Sequence, residues 1–485
     1  MSTIRRIAKN AILMLLAQVL SNVLAFLYMI YAARYLGPVD FGILSFAIAF
    51  TTIFAVFADF GLHAFMIRGI ARERLVTDRY LFNASFIKII MAIITFGLIA
   101  ATINMMGYRG ESIIAVYFLG ISVVLNSFML MYMAVYQAHE KLEYIGINQA
   151  LNAILIFVGT ILAIRFEMSI TAFALIYVVA GLVCLIYNIV IMRIQVSFSS
   201  NYHFSGFIKF DRSLLKYMII ESIPFGLIAL FACAYTWIDS VLLSSMKSDE
   251  AVGWYGAAYR PVISLLIIPS ALVAAVYPIM SRQHEVAINS LKITFEKSVK
   301  YLTIIALPIC VGTTLLADRL IPLFYGSEFM PSATIIKILI WTILFSFANV
   351  IMAILLYAIN KQAIVTKIYF VALLINIILN IVFIPAFSYL GVSIVKVTTE
   401  CLIFVLMIII SYGTGYIIHI KPGLKVAAKE LLAVITMGIF IWYFDKMNLA
   451  LLIIIAAAIY FAVIYVLKIL DDADILVIKD LIGVK

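Results

Sequence analysis

Residues 11–35 read AILMLLAQVLSNVLAFLYMIYAARY, and the first charge in that stretch is Arg34. Neither a helical nor a strand period separates an apolar from a polar side, so no face of this segment is made for water. As a helix rising about 1.5 Å per residue it is long enough to cross the roughly 30 Å hydrocarbon core of a bilayer. Ile453–Val466 has the same character near the other end of the chain. Working outward from these two, comparable apolar runs fall at 10–35, 41–67, 80–105, 113–137, 145–165, 170–194, 214–243, 253–281, 298–317, 333–357, 363–387, 391–417, 427–444 and 449–468. The expected fold is all-α and polytopic, with about fourteen transmembrane helices. A chain of 485 residues that is 66% hydrophobic and 12% charged cannot cover a water-soluble globule with polar surface.

The loops set the orientation. With the N-terminus in the cytoplasm, 24 Lys and Arg fall in inner loops and tails, and six (Arg34, Arg109, Arg165, Lys247, Arg319, Lys446) in outer loops. That bias predicts a multi-pass protein of the plasma (inner) membrane with both termini inside. It also accounts for the formal charge of +10, so no nucleic-acid partner is expected. No run of small residues marks a cleavage site after span 1, which reads as a retained helix. Cys184, Cys233, Cys310 and Cys401 stand singly in apolar runs, and His63, His139, His203, His284 and His419 are equally scattered. These patterns predict no disulfide, no metal site and no cofactor. No hydrolase, metalloprotease or phosphate-loop motif is present, so the chain is not expected to be an enzyme.

The chain also echoes itself. Gly37-Pro38-Val39-Asp40-Phe41-Gly42-Ile43-Leu44 returns as Ser248-Asp249-Glu250-Ala251-Val252-Gly253-Trp254-Tyr255, each read as a polar turn followed by a glycine at the start of the second span of a half. Asn148 and Asn152 in span 5 are matched by Asn376 and Asn380 in span 11 at the same helical spacing. Six spans per half is an even number, which predicts parallel repeats with a substrate cavity between them. The expected organisation is a six-helix bundle at 1–200, a second at 201–420, and two extra helices with a cytoplasmic tail at 421–485. Nine of the ten prolines follow residue 200, which marks spans 7 and 8 as the expected bending elements.

Charges inside membrane helices are costly and point to function. Those that stand out are Asp59, Lys88, Glu221, Asp239, Arg260, Lys396 and Glu400, with Arg68 at the inner end of span 2. Arg260 and Lys396, with Lys88 and Arg68 lower down, would offer positive sites to a phosphate or diphosphate in a wet cavity. Glu221, Asp239, Glu400 and Asp59 would neutralise them or carry a coupling ion, H+ or Na+. The alternative for each is a permanent ion pair or a snorkelling side chain. Tyr255 and Tyr259 flank Arg260, and Tyr28, Tyr31 and Tyr35 form a stripe on span 1; such faces stack on sugars and equally populate bilayer interfaces.

Several segments taken in order resemble a known family. They are Arg34-Tyr35-Leu36-Gly37-Pro38-x-Asp40-Phe41-Gly42; Asp59-Phe60-Gly61-Leu62 with Arg68 and Ala71-Arg72; Val252-Gly253-Trp254-Tyr255-x-Ala257-Ala258-x-Arg260; Tyr325-Gly326-x-Glu328-Phe329; and Asn376-x-x-x-Asn380-x-x-x-x-Pro385. The pattern is similar to the polysaccharide-export and O-antigen flippases of the multidrug/oligosaccharidyl-lipid/polysaccharide exporter superfamily, over most of residues 1–420. The resemblance implies two six-helix bundles, alternating access and a polyprenyl-diphosphate-linked oligosaccharide as substrate, carried from the cytoplasmic to the outer leaflet. It implies partners among membrane lipids, a glycan polymerase and glycosyltransferases, and singles out Arg34 and Arg260. A multidrug or organic-cation antiporter of the same superfamily is the nearest alternative, disfavoured by basic Arg260 and Lys396. A polytopic glycan polymerase would call for a large outer loop, and no outer loop here exceeds about twenty residues.

Overall fold

In a computed structural model of the chain, the described residues are 3–73, 76–196, 210–286, 288–413 and 420–470. The elements are α1 Thr3–Asp59, α2 Leu62–Arg72, α3 Thr77–Met105, α4 Glu111–Ala138, α5 Leu142–Arg165, α6 Ile170–Ile191, α7 Arg212–Met246, α8 Asp249–Ser264, α9 Ile267–Val286, α10 Ile288–Tyr325, α11 Pro331–Leu339, α12 Thr342–Ala358, α13 Gln362–Gly413, α14 Ile420–Tyr443 and α15 Leu449–Val466. Among the described residues, twelve helices are long and apolar enough to cross a membrane. The polarity is inverted relative to a soluble protein. Ile93, Val382 and Ile454 are exposed, while Asn83, Lys88, Asn188, Asp239, Asn380 and Thr399 are fully buried. Only helices can satisfy their own backbone in hydrocarbon, which is why the runs fold this way.

Some breaks sit where the sequence suggests and others do not. At the expected turn of 37–42 two helices meet across a kink at Gly37, whose φ is 70°, within the 57-residue α1. Pro38 follows it and starts the next turn, where its missing N–H costs nothing. Span 2, read as continuous over 41–67, is interrupted at Phe60 and Gly61, whose φ angles are 40° and 82°. A side chain on Gly61 would meet the Ser222 carbonyl of α7 at 2.5 Å, so the glycine is set by a close crossing as well as by its backbone. Asp59 repairs the break by accepting from the His63 N–H at 3.2 Å. Of the expected bending elements, α7 passes through Pro224 as one helix. Span 8 divides at Leu265 and Leu266, between α8 and α9 and beyond Pro261, and span 10 at Ile340 and Trp341, between α11 and α12. In α13 the non-helical residue is Ser388, three residues after Pro385.

The chain divides into two compact units, Met1–Ala257 with Ile377–Tyr389, and Ala258–Asn376 with Leu390–Lys485. In the first, Leu62, Phe65, Met66 and Ile70 of α2 pack with α3, α4 and Leu215 and Met218 of α7. The tyrosine stripe of α1 is used in packing there: Tyr35 stacks on Phe173 and donates to the Met168 carbonyl at 3.1 Å, Tyr31 meets Phe157 edge-on, and Tyr28 hydrogen-bonds Tyr177. Asp211 caps α7 by accepting from the Ser213 and Leu214 N–H groups at 3.0 Å, and pairs with Arg79. The Leu214 N–H and the Arg79 guanidinium hold its carboxyl below the usual value.

Within the same unit the two glycine motifs meet. A Cβ on Gly42 would lie 1.8 Å from the Asp249 carbonyl oxygen, and one on Gly253 would lie 2.0 Å from the Pro38 carbonyl oxygen. Gly42 and Gly253 are 211 residues apart, and so are Pro38 and Asp249. Each glycine thus faces the counterpart of the residue that its own counterpart faces, the reciprocity of a two-fold contact.

In the second unit, α14 and α15 seat on α10. Val434, Met437 and Ile441 pack with Leu452, Ala456 and Tyr460 against Ile304, Leu307 and Leu316. Polar ties fasten both ends. Arg319 donates to the carbonyls of Asp445 and of Met447, Tyr460 donates to the Ile304 carbonyl at 2.9 Å, and Thr303 stands 3.3 Å from buried Glu430.

Candidate functional site

In the second unit the polar residues form a seam across α8, α10, α12 and α13. Arg260 is half-buried near the C-terminal end of α8, one residue before Pro261. Tyr325, buried at the end of α10, lies within electrostatic reach of its guanidinium. Two of the segments that carry the family resemblance therefore come together here. Tyr259 is buried, and the Lys396 ammonium sits 5.6 Å from the centre of its ring. Lys396 is 3% exposed, so this cation–π contact is made away from water, where it is strongest. One turn on, Glu400 accepts from the Asn349 side-chain amide at 3.0 Å. Tyr369 lies within electrostatic reach of Glu400. A half-buried guanidinium, a buried ammonium and tyrosine hydroxyls and faces can together receive a phosphate group and sugar rings.

In the first unit the charges are arranged differently. Lys88 is fully buried on α3, pairs with Asp59, and donates to the Ala58 carbonyl at 3.2 Å. Asp239 is fully buried on α7 and accepts from Asn380 at 2.7 Å. Arg34, Arg68 and Glu221 are exposed, on α1, α2 and α7, and Tyr255 is fully buried. The asparagine echo is also put to use: Asn188 donates to Asn148 at 2.7 Å in this unit, while Asn376 stands 3.5 Å from Thr399 in the other.

The structure thus joins Lys396 to Tyr259 and Lys88 to Asp59, and leaves Arg34, Arg68, Lys88 and Tyr255 in a different unit from Arg260 and Lys396. It adds Asn349, Tyr325 and Tyr369 to the seam. Asn349 carries the one signal that the sequence could have given, an amide in the middle of an otherwise apolar run. Glu430 and Lys337 are further charges within apolar runs; Glu430 belongs to the α14 seat and Lys337 pairs with Asp318 at 2.7 Å. Among the described residues no group of three or more His, Cys, Asp or Glu is placed to hold a metal ion.

A multi-pass helical protein with charges buried among its membrane helices has the build of a membrane transporter. The family model described as polysaccharide biosynthesis protein matches residues 7–284, more than half of the sequence, and the chain belongs to that family. A second model, MatE, matches residues 224–382, in keeping with the superfamily of flippases and multidrug exporters that the motifs resemble. The chain is 24% identical over 396 residues, 80% of each protein, to the probable low-salt glycan biosynthesis flippase Agl15 of Haloferax volcanii. Its fold is similar to that of the lipid II flippase MurJ in an inward closed conformation, with a TM-score of 0.74 at 16% identity over 94% of this chain and 97% of that one. It is also similar to a multidrug-resistance MATE transporter in an inward-facing conformation, with a TM-score of 0.65 at 15% identity over 82% and 97% of the two chains.

Proposed function

We propose that the protein is a flippase that carries a polyprenyl-(di)phosphate-linked oligosaccharide from the cytoplasmic to the outer leaflet of the plasma membrane by alternating access, in the synthesis of a cell-surface polysaccharide or glycan. The observation that supports this most directly is Lys396 held over Tyr259, next in sequence to Arg260, in a chain of the polysaccharide biosynthesis family. A diphosphate with attached sugars cannot enter hydrocarbon unaided, whereas its prenyl tail can remain in lipid throughout. The protein has only to shield and rebind the headgroup, which needs basic and aromatic walls and no catalytic group.

In this reading α1 and α13, at 57 and 52 residues, each cross the membrane twice, which brings the count to fourteen. Two six-helix repeats, 1–200 and 201–420, then flank the cavity, with both termini cytoplasmic. The reciprocal glycine contact supports the repeat. Arg34, Arg68 and Lys88 serve the headgroup from the first repeat and Tyr255 from the second, and Glu221, Asp239, Glu400 and Asp59 provide counter-charge or the site of a coupling H+ or Na+. The lipid-linked substrate comes from glycosyltransferases and passes to a glycan polymerase. A multidrug-export reading has the MatE match on its side, but an organic cation would be repelled by Arg260 and Lys396.

Translocation of a fluorescent polyprenyl-diphosphate oligosaccharide in proteoliposomes tests the proposal. Arg260→Ala and Lys396→Ala are each expected to lower the rate by about tenfold or more, equivalent to ~1.4 kcal/mol of lost interaction, at normal protein levels. A wild-type rate removes that residue from the site. Export of organic cations without any headgroup translocation replaces the flippase by the multidrug reading.

A further inference from the structure

Tyr325 is the last residue of α10, in the run Pro322-Leu323-Phe324-Tyr325-Gly326. Gly326 still donates its N–H to the Pro322 carbonyl at 3.1 Å, but its φ of 94° ends the helix there, a conformation that side chains resist. The chain then turns through the short 3-10 segment Ser327–Phe329, which lays the Phe329 ring against that of Tyr325 with centroids 5.7 Å apart. Tyr325 is 2% exposed and Phe329 1%, so the phenol ring is locked in place and cannot carry its hydroxyl to water.

That hydroxyl is buried and has no hydrogen-bond partner among the described residues. Burying a hydroxyl in this way forfeits the bond it made to water, and a phenylalanine would fill the same space without the loss. The oxygen is therefore a cost to the fold that a ligand could repay. Its surroundings define the ligand. The Arg260 guanidinium lies within electrostatic reach, and a guanidinium offers N–H donors and no acceptor. A phenol beside it has an O–H to donate, so the two groups share one complement, an oxyanion that accepts from both. A neutral sugar hydroxyl would satisfy the phenol and gain little from the guanidinium charge.

We propose that the Tyr325 hydroxyl is a substrate-binding donor, which bonds a phosphate oxygen of the lipid-linked headgroup that Arg260 attracts. The hydroxyl is enclosed in this structure, so the bond forms when alternating access opens its surroundings. The inference rests on the flippase reading and adds to it a phosphate-recognising residue on α10.

The test is Tyr325→Phe in the full chain, which removes one oxygen and keeps the ring against Phe329. Two measurements are made on the folded protein in nanodiscs: the thermal midpoint without ligand, and the affinity for polyprenyl diphosphate without sugars. The midpoint is expected to stay the same or rise, because an unbonded buried group is gone. The affinity is expected to fall about tenfold, the strength of one hydrogen bond to a charged acceptor, and translocation at low substrate concentration to fall with it. A merely structural hydroxyl gives the opposite pattern, a lower midpoint with unchanged affinity. Equal affinity of wild type and Tyr325→Phe for polyprenyl diphosphate overturns the inference, including where a loss appears only once sugars are attached. Wild-type protein that binds and translocates no such lipid overturns the flippase reading and takes the inference with it, whereas binding that Tyr325→Phe matches overturns the inference alone.

Discussion

Lys88 and Asp59 show why a charge in a membrane helix has two readings. The lysine is fully buried and the aspartate side chain 16% exposed, so the pair is closed to solvent at the ammonium end. Removing one partner of such a pair leaves a bare buried charge and costs about 3–5 kcal/mol, whereas replacing both by apolar groups of similar size is often tolerated. Asp59→Asn is therefore expected to lower the thermal midpoint sharply in detergent, and Asp59→Asn with Lys88→Met to recover most of it. Transport by the double variant then separates the readings: normal translocation makes the pair structural, and a stable but inactive protein places Lys88 on the substrate path. At this scale the sequence was informative about which residues are unusual and silent about their company. Lys396 stands out by composition alone, but Tyr259 as its ring partner, 137 positions away, depends on how α8 meets α13. Tyr325 looks like an ordinary member of an apolar run until its partner arrives.

Among the elements, the helices and the kinks at Gly37 and Ser388 follow from the length and apolarity of the runs, and the interruptions inside a run do not. A break at Phe60 and Gly61, or at Leu265 and Leu266, is set by a neighbour's backbone coming close or by a ladder bond given up near a proline, and neither is encoded in local hydropathy. The crossing of α1 and α8 makes the point quantitative. At Gly253 an added methyl would sit 2.0 Å from a backbone oxygen, which no rotamer change relieves, so the helices themselves must part. Gly42→Ala and Gly253→Ala are each expected to cost about 1–3 kcal/mol, read as a fall in thermal midpoint. Gly312→Ala, in a helix with nothing within 4 Å of the new methyl, is expected to be neutral or mildly stabilising. Equal behaviour of the three would mean that the crossing is loose. The motif echo at these glycines was legible in sequence; that its two copies touch each other was not, because a repeat states likeness and says nothing of contact.

For the whole molecule, the loop charges give the sharpest expectation. In a cysteine-free background, Gly110→Cys, Ser248→Cys and Lys446→Cys should react with an impermeant reagent applied outside intact cells, and Val76→Cys, Lys141→Cys and Val286→Cys should not. Labelling of the second set would reverse the orientation. The seat of α14 and α15 on α10 has a consequence for how such a chain is made. These two helices are synthesised after α10, so the α10 surface they cover spends the intervening time against lipid. Acyl chains are as apolar as leucine, and the waiting surface is therefore under no pressure to aggregate or to recruit a holdase. By the same token, apolar area gives the late hairpin no reason to leave the lipid. What draws it in is close packing of side chains such as Val434, Met437 and Tyr460 together with a handful of polar ties, chiefly Arg319 to the Asp445 and Met447 carbonyls and Tyr460 to the Ile304 carbonyl, so its docking is a matter of fit and a few hydrogen bonds.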